Sequence, residues 1–378
     1  MRILLSGNVQ PWRSKSMPLY RTRLADALRA LDPALDVQNH DPWLAMGSHG
    51  PSWMARAGDL PDRLMYQAQR WLFYPASTWA RSSAKRGDLL HITDHSYGEL
   101  VGASRMPTVV TVHDLNPVRM HRGELGQGPE ARIGRVGWAL FQRALRGLRS
   151  AQHIICVSEA TRADLLAEMP DLEPRVRVVW HGVDGAYLNS GPRPQAPTAI
   201  LLHVGHNWAY KNVDGAIALA VACHRALKAR GLSFRFVRAG APLRDEQIHR
   251  LQSEGVRFQQ YINADLATLT RLYREARLFV FPSLHEGFGW PPLEAMACGT
   301  PAVVSRGGAL AEVAAPGAEL VLDDPRGVTA DEVAACDRLL TDDHLWLQAS
   351  RAAQKYAARF RWSATAQATL QLYQEIVP

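Results

Sequence analysis

The chain runs to 378 residues, 47% hydrophobic and 21% charged, which excludes disordered, collagen-like and disulfide-dense classes. That length exceeds what one hydrophobic core usually organises, so two domains are expected. The formal net charge of +7 belongs to the first part: residues 1 to 158 hold 20 Lys and Arg against 12 Asp and Glu, and the remainder holds 23 against 24.

Predicted elements alternate in type nearly throughout. Short β-branched runs, apolar enough to be buried on both faces, are separated by helical stretches, the pattern of parallel strands covered by helices. In the first half, strands are expected at 2–6, 88–93, 108–113, 153–158 and 176–180, with helices over 19–31 and 132–149. Residues 44–87, rich in Trp and Tyr, read as an inserted helical region. In the second half, strands are expected at 199–205, 234–240, 256–261, 278–282, 302–305 and 319–322, and a last helix at 363–376 with Ser363 as its cap. Between the halves, 190–197 packs three prolines and a glycine into eight residues, an exposed linker separating domain 1–190 from domain 198–362. The fold class is α/β with two parallel sheets.

Cys156, Cys223, Cys298 and Cys336 are widely spaced in apolar surroundings, which predicts reduced core residues rather than a zinc site or a disulfide framework. The apolar run after Met1 is too short for a signal peptide, and no run approaches the ~18 residues needed to span a bilayer. A cytoplasmic protein is expected.

The most informative stretch is His285-Glu-Gly-Phe-Gly-Trp-Pro-Pro-Leu-Glu294-Ala-Met-Ala-Cys-Gly299-Thr-Pro301, directly after an apolar strand. Pro291 or Pro292 fits the first helical turn, and Gly299 with Pro301 ends the helix after about two turns. Helix N-termini present unpaired amides and partial positive charge, so this end suits a phosphate or diphosphate, with Gly287 and Gly289 permitting close backbone approach. Glu286 and Glu294 flank that anion site and are expected to accept hydrogen bonds from neutral hydroxyls, as on a sugar and a ribose.

These residues resemble the signature of GT4-type glycosyltransferases of the GT-B fold: a Glu, seven residues and a second Glu within an EGFGxPxxEAMAxGxPV context. The resemblance continues through Asp94-His-Ser-Tyr97, Val112-His-Asp-Leu-Asn-Pro117, Val157-Ser-Glu159, His181-Gly-Val-Asp184, Val204-Gly205 to Lys211-Asn212, Asp265 to Tyr273 and Pro282-Ser283. It implies two Rossmann-like domains facing across a cleft, a nucleotide-sugar donor on the second, an acceptor on the first, and a C-terminal helix (363–378) packing back onto the first. Carried over by position, Glu286 looks like the residue at the donor sugar hydroxyls, Glu294 like the ribose ligand and Lys211 like the lysine facing the diphosphate. His113 resembles the histidine near the reacting carbon. Gly205, Gly287, Phe288, Gly289, Tyr261 and Ile262 fall on the donor side, and Asp114, Ser158 and Arg13 on the acceptor side. Asp114 is also suited to orienting its own loop, and Ser158 to capping a helix.

Such enzymes retain anomeric configuration, yet no second carboxylate stands at glycosidase spacing, so a front-face path is expected. No Asp-x-Asp motif is present, and no metal or other cofactor is expected. The sequence departs from the family in the loop after the first strand, where a Gly-Gly pair gives way to Gly7-Asn-Val-Gln-Pro-Trp-Arg-Ser-Lys-Ser-Met17. An arginine common shortly before the Lys211 position is also missing. The wording of the motifs looks most like bacterial mannosyltransferases of surface polysaccharide assembly, which implies GDP-mannose as donor, with UDP-glucose as the rival.

Arg119, Arg122, Arg132, Arg135, Arg143, Arg146 and Arg149 crowd a stretch with apolar residues at helical spacing. It reads either as a solvated face over a core stripe or as a surface for anionic lipid at the inner face of the membrane, near a lipid-linked acceptor. Nucleic acid is disfavoured because no stacking platform accompanies the charge. A dinucleotide-dependent dehydrogenase is disfavoured because no strand is followed by GxGxxG. An inactive glycosyltransferase-like binding protein remains the alternative of a different class.

Overall fold

The computed structural model describes residues 1–7, 16–40, 74–81, 88–126, 131–188 and 199–377. Among these residues, two six-stranded sheets form the frame, and every pairing in both is parallel. The first contains β1 (Arg2–Ser6), β2 (Asp36–His40), β3 (Asp88–Ile92), β4 (Thr108–Val112), β5 (His153–Cys156) and β6 (Val176–Val178), in the order β2-β1-β3-β4-β5-β6. The second contains β7 (Ala199–Gly205), β8 (Phe234–Gly240), β9 (Phe258–Tyr261), β10 (Leu278–Phe281), β11 (Ala302–Val304) and β12 (Leu320–Val321), in the order β12-β11-β10-β7-β8-β9. The chain is therefore α/β and two-domain, and the strands fall where the apolar runs predicted them, shortened by one or two residues at several ends.

β2 is the strand that the sequence reading missed. Asp-Val-Gln-Asn-His is too polar to stand out, and as an edge strand it buries only Val37 and His40. The four cysteines are buried at core positions, and no disulfide joins them. The linker at 190–197 and most of 44–87 lie outside the described residues; of the latter, Tyr74–Arg81 forms a helix.

The last helix, Trp362–Ile376, corrects one expectation. Its N-cap is Arg361 in extended backbone, not Ser363, because the chain enters the helix directly from a crossing at which Gly182 meets the Trp362 backbone. The helix leaves the second sheet and packs on the first. Ala366, Leu370, Leu372 and Tyr373 share a core with Ile3, Leu5, Tyr20 and Leu24. A buried polar relay fastens it: Tyr373 Oη lies 2.5 Å from His91 Nδ1, His91 Nε2 lies 2.7 Å from Thr111 Oγ1, and Tyr20 Oη lies 3.1 Å from the same hydroxyl. Burial, aided by His113, pushes the His91 pKa down to about 3, so this imidazole is neutral.

Candidate active site

Ligand crevices in open parallel sheets form where strand order reverses, at the carboxyl ends of the strands. In the second sheet that reversal lies between β7 and β10. β7 leads through Gly205 and a short 3-10 turn, Ala209–Lys211, to Lys211; β10 leads to Glu286. The topology therefore brings the two together: Lys211 Nζ lies 2.8 Å from both Glu286 oxygens. Sequence reading assigned each a separate partner and did not foresee the pair.

Past Glu286 the chain turns into the helix Trp290–Ala297, with Gly289 as N-cap and prolines in its first turn. Gly289 adopts φ 102°, a left-handed conformation that favours glycine. Among the described residues, the amides of Gly287, Phe288, Gly289 and Trp290 find no acceptor, so four donors gather at the positive end of the helix. Cys298 and Gly299 close the helix after eight residues, as the glycine and proline pattern predicted.

Glu294 lies on that helix and accepts from Tyr273 Oη at 2.8 Å. Burial pushes its carboxyl up to about 7; the Tyr273 hydrogen bond opposes the shift and the Asp184 charge adds to it. Tyr261 ends β9, at the edge of the sheet, and Ile262 follows it, with Ile262 exposed and the Arg271 guanidinium over the Tyr261 ring. In the sheet, β8 lies between their strand and β7.

The first domain closes the crevice. His113 follows β4 and is buried, its Nε2–H donating to Thr93 O at 2.8 Å and its ring edge-on to Tyr20. Burial holds it below the usual histidine range. Gly287 lies directly against this turn: a Cβ there would sit 1.8 Å from His113 O. Ser158 caps the helix Glu159–Glu168, accepting from Thr161 N, and its Oγ also lies 2.7 Å from Gly287 O. Asp114 accepts from Asn116 N at 2.9 Å, which shapes the loop after His113. Arg13 lies outside the described residues.

Further ties join the domains. Glu312 accepts from the amides of Glu159 and Ala160, capping a first-domain helix from the second domain. His285 Nε2 lies 3.3 Å from Asp164 Oδ2, and Trp290 Nε1 donates to Gly182 O. None of these was singled out in the sequence, because they depend on how two domains meet. Among the described residues, no three or more His, Cys, Asp or Glu side chains gather as metal ligands would. No helix among them is long and apolar enough to cross a membrane.

The basic stretch of the first domain is also rearranged by folding. Arg119 pairs with Asp164 and Glu124, Arg122 with Glu168 and Arg149 with Asp171, acids that mostly lie outside that stretch. Along the helix Arg135–Gly147, Arg132, Arg135, Arg143 and Arg146 are exposed beside Val136, itself 73% exposed.

Comparison with known proteins matches residues 22–186 to the Glycosyltransferase Family 4 model and 198–342 to the model for glycosyl transferases group 1. The chain is 29% identical over 297 residues to alpha-maltose-1-phosphate synthase of Mycobacterium tuberculosis, covering 72% of this chain and 73% of that one. It is 28% identical over 290 residues to the serotype-specific mannosyltransferase WbdA of Escherichia coli, covering 72% of this chain and 34% of that protein. Among solved structures, HepE of Anabaena in complex with UDP and glucose superposes with a TM-score of 0.68 at 15% identity, over 99% of this chain and 100% of that one.

Proposed function

From the premise that the chain is a glycosyltransferase of the GT4, group 1 type on the GT-B fold, we propose that it is a retaining hexosyltransferase. It moves mannose from GDP-mannose to a hydroxyl of a glycan or lipid-linked glycan in surface polysaccharide assembly. The observation that carries the reading is the Lys211–Glu286 pair at the strand-order reversal, beside the free amides that begin the helix Trp290–Ala297.

An ammonium carries three hydrogens; two serve Glu286 and the third is left for a phosphate oxygen. In the reaction the bond from the sugar carbon to the diphosphate oxygen breaks while the acceptor oxygen bonds to that carbon on the same face. The acceptor proton passes to the departing diphosphate. Lys211 and the amides of 287–290 stabilise the charge that builds there, a role that needs no metal ion. Glu286 holds sugar hydroxyls, Glu294 accepts from the ribose, and His113, with Asp114 and Ser158 near it, faces the sugar and acceptor.

The mannose assignment is supported by the motif wording and by similarity to a protein named as a mannosyltransferase. UDP-glucose is the second reading, supported by the fold neighbour whose structure holds UDP and glucose. The exposed arginines of the helix Arg135–Gly147 fit an enzyme resting on anionic lipid at the inner face of the membrane.

Calorimetry with GDP-mannose, UDP-glucose, UDP-N-acetylglucosamine, GDP and UDP, with and without EDTA, tests the donor site. Selective binding of GDP and GDP-mannose that EDTA leaves unchanged is the expected result. Selective UDP binding transfers the assignment to glucose, and silence from all five rejects the donor site in favour of a protein without transfer activity.

A further inference from the structure

Among the described residues, the bulkiest fully buried side chain is an arginine: Arg238, near the end of β8, is 1% exposed. Its Nη1 donates to Gly205 O at 2.9 Å and lies 3.2 Å from His203 Nδ1 and 3.3 Å from Ala239 O. With Nδ1 as acceptor, the His203 proton sits on Nε2. Nε and Nη2 of Arg238 and Nε2 of His203 find no partner among the described residues. Burial lowers the guanidinium to about 10, which leaves it charged at neutral pH. No carboxylate pairs with it among the described residues.

A buried charge without a counter-charge is costly, and fastening one carbonyl does not require it. Water can satisfy the spare hydrogens but cannot neutralise the charge. The position indicates what can. His203 stacks on Phe281 with centroids 6.1 Å apart, and Lys211 Nζ lies 5.4 Å from the centroid of that same ring. Guanidinium, imidazole, ring and ammonium thus form one column below the 205–211 loop. His203 is held neutral by burial first and then by both cations, which shows that the two charges act on one region. Lys211 is balanced by Glu286; Arg238 is not.

We propose that Arg238 is a second cation of the donor site: it positions the Gly205 carbonyl at the root of the Lys211 loop, and its unbalanced charge attracts the donor's nucleoside diphosphate without touching it. This rests on the nucleotide-sugar reading above. The test compares wild type, Arg238→Gln, which keeps a donor for Gly205 O but no charge, and Arg238→Lys. Calorimetry is run with guanosine, GMP and GDP, or with the uridine series if that is the one bound.

Arg238→Gln should weaken the diphosphate about tenfold, weaken the monophosphate less and leave the nucleoside unchanged, with Arg238→Lys restoring most of the loss. Equal loss for all three ligands reduces Arg238 to a structural role and overturns the proposal, as does no loss for the diphosphate. Should Arg238→Gln fail to fold, Arg238→Lys still decides. A buried lysine sheds its charge as pH rises from 7 to 10, so its diphosphate affinity must fall relative to wild type, and parallel profiles overturn the proposal. Wild type that binds no nucleoside diphosphate overturns the donor-site reading itself, an outcome distinct from the others.

Discussion

Lys211 and Glu286 are 75 residues apart in the chain, yet both carboxylate oxygens lie 2.8 Å from the ammonium. Their side chains are only 14% and 10% exposed, so removing one leaves the other charge partly buried and uncompensated. The pair occupies the seam between β7 and β10, where backbone from two distant segments converges.

Lys211→Ala and Glu286→Gln should therefore each reduce transfer by about a hundredfold or more and also lower stability by about 1–3 kcal/mol. In a double-mutant cycle the two stability losses should not add, since the second substitution removes the charge that the first orphaned. Transfer assays and urea denaturation read the two effects separately; additive losses would mean that the pair is not coupled.

Glu294 contributes a pH dependence of definite sign. Its carboxyl, raised to about 7 by burial, keeps its proton in the folded protein between pH 4.5 and 7 while the unfolded chain releases it. Stability should decline as pH rises through that window, by about 3 kcal/mol in all, and Glu294→Gln should flatten the decline. In its proposed ribose role the charged form is the better acceptor, so nucleotide affinity should climb as pH passes 7 in wild type and stay level in the variant.

The histidines act in the opposite direction. His91 is neutral in the fold with its pKa near 3, whereas an unfolded histidine takes a proton below about 6.5. Its contribution is intact above 6.5 and is lost as pH falls from there toward 3, at about 1.4 kcal/mol per pH unit. Tyr373→Phe removes the hydroxyl 2.5 Å from His91 Nδ1 and should cost about 1–3 kcal/mol near neutral pH. Chemical denaturation across the pH range checks both numbers.

Gly287→Ala places a methyl group against His113 O and should keep the two domains apart. Nucleotide binding, which the second domain supplies under the proposed function, should survive; transfer should not, and small-angle scattering should report a larger radius of gyration. Glu312→Ala removes a helix cap across the same interface and should produce a milder form of that separation.

Strands buried on both faces were legible because period and composition agree: Thr108–Val112 and Leu278–Phe281 are built of β-branched and apolar residues and are buried at every position. The glycines and prolines around 287–301 were legible because each does something only that residue does cheaply, such as the φ of 102° at Gly289. What the sequence withheld depended on contacts between distant segments. Nothing local to Asp164 announces His285, nothing near Glu312 announces the helix it caps, and β2 gains its status from pairing with β1 rather than from its own polar residues. Arg238 was hidden for a similar reason, since a single arginine in a strand reads as solvent-facing until the fold encloses it.

The packing of Trp362–Ile376 on the first sheet bears on how the protein is made. Ile3, Leu5, Tyr20 and Leu24 emerge from the ribosome before the second domain, and Ala366, Leu370, Leu372 and Tyr373, which cover them, emerge only after it. The first domain must wait with an apolar face exposed while the whole second domain is synthesised, a period in which chaperones or self-association compete for it. A chain without Trp362–Ile376 would lose that cover permanently, so deleting this helix should harm the solubility of the first domain.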